Sequence, residues 1–105
     1  MRNNRERTMT MTKTMKFTVY HAKQPTFGFG EQPAFPEAYD KIAIVECEDV
    51  DDVFRATNHI DHDWRMNPEV IELFKDKVRS TSVGDVVEDE VGNKLYCDRI
   101  GWIEI

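Results

Sequence analysis

Ile42-Ala43-Ile44-Val45 is the longest unbroken apolar run in the chain. A strand with no polar face must be covered on both sides, so residues 40–47 are expected to form a central, doubly buried strand. A run this short is far from a membrane span or the core of a secretory signal. Residues 15–22 alternate instead, with Met15, Phe17 and Val19 set against Lys16, Thr18 and Tyr20. A period of two marks a half-buried strand. Near the end, Val86–Glu90, Leu95–Arg99 and Gly101–Ile105 read as three more strands. The hairpin turn between the first two rests on Gly92 and Asn93, both tolerant of positive φ.

Two segments switch to a helical period. Val50, Val53, Phe54 and Thr57 sit at i, i+3, i+4 and i+7 within residues 48–58. Asp49 is the expected N-cap, Asp51 and Asp52 favour the first turn, and Asn58 is the stop. Asn67-Pro68 then reads as the opening of a second helix, with Val70, Ile71, Phe74 and Val78 on one face. Lys75, Lys77 and Arg79 fall near its C-terminal end, where the dipole favours them. The expected fold class is therefore α+β: a small antiparallel sheet of about four to five strands with two short helices packed on one face. The 105 residues suffice for one such domain, over 15–105, behind a disordered basic arm at 1–14.

The net charge of −6 divides unevenly. Residues 1–23 carry +5 and residues 24–105 carry −11. An acidic body repels phosphate backbones and anionic lipid, so neither direct nucleic-acid binding nor membrane docking is expected. A basic protein, including one that itself binds nucleic acid, is the partner such a surface suits. Edge strands in so small a sheet also make a homodimer a reasonable expectation. Cys47 and Cys97 lie in apolar strand-like runs outside any C-x-x-C pair. They are expected as buried free thiols of a cytoplasmic protein.

Residues 23–37 contain Pro25, Pro33 and Pro36 together with Phe-Gly-Phe-Gly at 27–30. No regular element runs through such a stretch. Its aromatics Phe27, Phe29 and Phe35 either fold back onto the core or form a partner-binding patch, and they are the candidate partner-binding residues. The Gly-x-Gly spacing lacks the strand, helix and third glycine of a dinucleotide site.

His59-Ile60-Asp61-His62-Asp63 is the one cluster with ligand chemistry. It matches no strong metal motif, so no metal or other cofactor is expected, and His59, Asp61 and His62 remain the candidates should one bind. Ser80 and Ser82 lie outside any G-x-S-x-G elbow. Trp64 and Trp102 are expected in the core or at its edge.

Arg79-Ser-Thr-Ser-Val-Gly-Asp-Val-Val87, followed by Gly92-Asn-Lys-Leu-Tyr-Cys-Asp-Arg-Ile-Gly-Trp-Ile-Glu-Ile105, resembles the signature of YodL-like domains. That signature is an Arg-Ser-x-Ser-Val-x-Asp-Val core, a glycine turn, a Tyr-containing strand and a Gly-aromatic ending. The upstream Val53-Phe-Arg-Ala-Thr-Asn58 and Asn67-Pro68 fit the same pattern, and the resemblance covers about half the chain. Segments 59–67 and 25–36 depart from it. The resemblance implies a phage, plasmid or other mobile-element setting, often beside anti-restriction modules, without an established activity. It singles out Arg79, Ser80, Ser82, Gly84, Asp85, Gly101 and Trp102. Physically, Arg79 offers five donors, the serines bond local backbone, and Asp85 braces the turn, which together fix the entry to a hairpin. The expected function is a non-catalytic acidic protein-interaction module. The alternatives are a nucleic-acid mimic that inhibits a DNA-binding enzyme, and a small metal-dependent enzyme using His59, Asp61 and His62.

Overall fold

The computed structural model describes residues 14–25, 33–59 and 63–105. Among them, six strands form one antiparallel sheet in the order β3-β2-β1-β4-β5-β6. These are β1 (Met15–Ala22), β2 (Tyr39–Cys47), β3 (Val70–Leu73), β4 (Val86–Glu88), β5 (Lys94–Asp98) and β6 (Gly101–Glu104). The described residues hold one α-helix, α1 (Val50–Ala56), and a single 3-10 turn at Trp64–Met66. The α+β class stands, with more strand and less helix than the sequence suggests. The basic arm falls almost wholly outside the described residues, as do Phe27, Phe29, Asp61 and His62.

β2 is flanked on both sides, as its apolar run demands. Phe17 pairs with Val45 and Val19 with Ala43, but Tyr20 then pairs with Lys41, which leaves Ile42 as an extra residue. The bulge brings Ile42 and Ala43, which strict alternation would separate, into one cluster around Trp64. One face of the sheet, built from Phe17, Val19, Val45, Cys47 and Val87, packs against Val53 and Ala56 of α1. The other face carries Ala22, Tyr39, Val86 and Tyr96, partly covered by Phe35. Asp49 caps α1 by accepting from Asp52 N–H at 2.9 Å.

The second helix is a correction. Val70–Leu73 is strand β3, antiparallel to β2. The spacing of Val70, Ile71, Phe74 and Val78 does satisfy a helical period, but the outer edge of β2 decides the outcome. Without β3, backbone groups beside a dry core would go unpaired, at about 1–3 kcal/mol each. An isolated short helix is marginal in water and offers little against that. Accordingly Glu46 N–H donates to Glu69 O and Phe74 N–H to Ile42 O, both at 2.8 Å. Asn67 caps no helix that follows it. Its side-chain amide donates to Ala56 O at 2.6 Å and closes the end of α1.

This topology creates a problem for the chain. β3 lies at one edge and β4 lies beside β1, so residues 74–85 must pass β2 and β1 to get there. They do so without helix or strand. Trp64 sits beneath this crossover, fully buried, and its indole N–H donates to Arg79 O at 2.9 Å. Replacing it removes both the packing and the bond: Trp64→Ala is expected to lower the unfolding free energy by about 3–5 kcal/mol, read from urea midpoints.

Candidate functional site

An irregular segment crossing a sheet must find partners for its backbone from side chains. One such side chain is Asp85, which is 1% exposed. Its Oδ1 accepts from Ala22 N–H at 2.9 Å and from Arg79 Nη2 at 2.8 Å. Its Oδ2 accepts from Arg79 Nη1 at 2.7 Å and from Ser82 N–H at 2.8 Å. The pair is bidentate, the geometry in which guanidinium and carboxylate match best. Arg79 reaches further, donating to Ser80 O, Ser82 Oγ and Ala22 O at 3.0, 3.2 and 3.2 Å. Thus Arg79, Ser80, Ser82, Gly84 and Asp85 converge on one spot, where the crossover meets the end of β1.

Gly84 is part of the same joint. Its φ is +104°, a conformation that side chains with a Cβ rarely adopt. Its N–H donates to Cys97 O and its carbonyl accepts from the Tyr39 hydroxyl at 2.9 Å. Gly101 and Trp102 lie elsewhere, on β6. Trp102 stacks edge-on against Phe54 and donates to Asp51 Oδ1 at 3.1 Å, tying the last strand to α1.

His21, which the sequence offers only as a histidine apart from the 59–63 cluster, is buried beside this joint. Its Nε2 lies 2.9 Å from Thr81 Oγ1 and 3.9 Å from Asp85 Oδ2. The shorter contact is the hydrogen bond; the longer is beyond one. Burial drives the His21 pKa down from 6.5 to about 4; Asp85 and Asp40 pull it up and Arg79 pushes it down, all more weakly. A lone His in an alternating strand carries no signal of such a role. Thr57 holds the buried place its helical spacing predicts, but its bond to the crossover carried no signal: Thr81 N–H donates to Thr57 O at 2.8 Å, and both side chains are buried.

His59 is committed to the crossover as well. Its backbone N–H donates to Ser80 Oγ at 2.8 Å. Its Nε2 lies 3.1 Å from Val78 O, and its Nδ1 accepts from Trp64 N–H at 3.2 Å. A carbonyl can only accept, so the proton sits on Nε2 and both ring nitrogens are engaged. A metal at His59 would have to break one of these bonds. Among the described residues no three His, Cys, Asp or Glu side chains gather where an ion could sit. Cys47 and Cys97 are buried and free, and burial pushes both thiols up to about 11, away from nucleophilic reactivity.

Two cavities are lined by residues outside this joint. An apolar groove of about 500 Å³ is lined by Pro33, Ala34, Phe35, Pro36, Lys94 and Ile105. Phe35 forms its floor, held edge-on against Tyr20 and Tyr39 with centroids 4.9 and 5.4 Å apart. A smaller recess of about 210 Å³ gathers Glu46, Glu48, Asp52 and Glu69 around Arg55. No described helix is long and apolar enough to cross a membrane. Comparison with protein-family models, with curated proteins and with solved structures returns no match.

Two outcomes follow. Asp85→Ala removes the carboxylate partner of Arg79 and leaves the Ala22 and Ser82 amides unpaired, and is expected to cost about 3–5 kcal/mol in denaturant unfolding. His21 has a folded pKa below its unfolded one, so the unfolded chain takes up the proton first. Its contribution to stability is complete above pH 6.5 and is lost as the pH falls toward 4. The loss is about 3 kcal/mol, and His21→Gln should flatten the stability profile in that window.

Proposed function

We propose that this domain is a non-catalytic, acidic protein-interaction module, and that the groove floored by Phe35 is its binding surface. The observation that carries the proposal is a division of labour. Among the described residues His21, His59, Arg79 and Asp85, each able to do chemistry, are bonded to one another or to the crossover. The apolar groove has no such duty. Pro33, Ala34, Phe35 and Pro36 oppose Ile105 there, in a concave shape suited to one apolar anchor side chain. Residues 24–105 carry −11, so the partner sequence that fits is an apolar anchor flanked by Lys or Arg. Membership of the YodL-like domains, a mobile-element setting and a cytoplasmic location belong to the same proposal. Buried free thiols agree with a reducing compartment.

The nucleic-acid mimic stands second. The recess with Glu46, Glu48, Asp52 and Glu69 favours it. Against it, Arg55 lies 3.5 Å from Asp52 and 3.7 Å from Glu69, which interrupts the negative row.

Panning a displayed random-peptide library on the full chain tests the first reading. Enriched peptides should share an apolar anchor with basic flanks, and binding should weaken with salt. Ala34→Arg with Ile105→Glu should abolish it while leaving the circular dichroism and urea midpoint unchanged. Failure to enrich, or binding indifferent to that variant, would contradict the proposal.

A further inference from the structure

The sheet edge farthest from the groove carries a second surface, independent of that reading. β3 has β2 on one side and, among the described residues, no strand on the other. Ile71, Leu73 and Phe74 are 48, 38 and 40% exposed. Edges are usually blunted by charge, proline or a bulge. Here Ile44 pairs with Glu72 and Val45 with Val70, so Ile71 is a bulge that disrupts only the first half of the strand. The second half stays regular, with Leu73 opposite Ala43 and Phe74 N–H bonded to Ile42 O. In an antiparallel ladder the bonding direction alternates, so the N–H and C=O of Leu73 face the open side.

We infer that this edge pairs with itself: two copies join antiparallel about a two-fold axis through Leu73, continuing the sheet across the axis. The charges fit a second copy. A two-fold at Leu73 sets Glu72 of one copy opposite Phe74 of the other, on the same face. Lys41 Nζ lies over the Phe74 ring, 5.1 Å from its centroid. Each Glu72 therefore meets the partner's Lys41, and the symmetry makes the contact twice. Within one chain the ladder puts Glu72 beside Ile44, and neither Glu72 nor Lys41 has an ion pair among the described residues. On the opposite face, Leu73 packs on its own symmetry mate.

Sedimentation velocity of the full chain over a wide micromolar range reads this directly. The expected result is a reversible shift from 12.3 kDa to twice that mass. Glu72→Lys sets like charges together at both contacts and should weaken the dimer about tenfold or more. Lys41→Glu should do the same, and Glu72→Lys combined with Lys41→Glu should restore it. Ala34→Arg with Ile105→Glu should leave the dimer intact, which separates this edge from the groove. A monomer at every concentration, a dimer indifferent to Glu72→Lys, or failure of the charge swap to rescue would each overturn the inference.

Discussion

The bidentate bond between Arg79 and Asp85 is the interaction on which the rest of the domain depends. A carboxylate that is 1% exposed is costly to desolvate unless every acceptor site is filled. Asp85 fills them from three directions: Arg79, the Ser82 amide of its own segment, and the Ala22 amide at the end of β1. Its backbone carbonyl also accepts from Cys97 N–H, which engages β5. One residue thus holds the crossover to the strand it has just passed and to the strand two places further along the sheet.

The need for such a joint follows from strand order. A sheet that places β1 between β2 and β4 forces the chain to travel from an edge back past the centre. A helix could satisfy its own backbone on that journey; residues 74–85 form none. Side chains take over much of the work: Trp64 and His59 bond the carbonyls of Arg79 and Val78, and Asp85 takes the Ser82 amide, while the backbone carbonyl of Thr57 receives the Thr81 amide. The cluster of His, Arg, Ser, Thr and Asp that suggests a reaction centre is, in this geometry, the scaffold of an irregular crossing. The Phe35 groove and the β3 edge, where the two proposals place their partners, take no part in that scaffold.

Much of this was legible before any coordinates. The apolar run at 42–45 marked a central strand, the alternation at 15–22 marked a second strand without its place in the sheet, and the Asp49 cap marked α1. The Arg79-to-Asp85 motif read as the brace of a hairpin entry, and it does stand at the entry to β4. β3 was not legible, because Val70, Ile71, Phe74 and Val78 fit a helix and only the unpaired edge of β2 argues otherwise. The adjacent β-branched pair Val70-Ile71 was the available hint. His21 and Thr81 were illegible for a different reason: their partners lie sixty residues apart and meet only once the crossover is in place.

The central claim is that the Asp85 joint is architecture, as stable as the sheet itself. Native-state hydrogen exchange at the Ala22 and Ser82 amides tests it most directly, because both protons are held by the Asp85 carboxylate. The account predicts that both exchange only through global unfolding, with the same denaturant dependence as the amides of β1 and β2. Exchange through a local opening that leaves the sheet protected would contradict it, and would mark the crossover as a moving part.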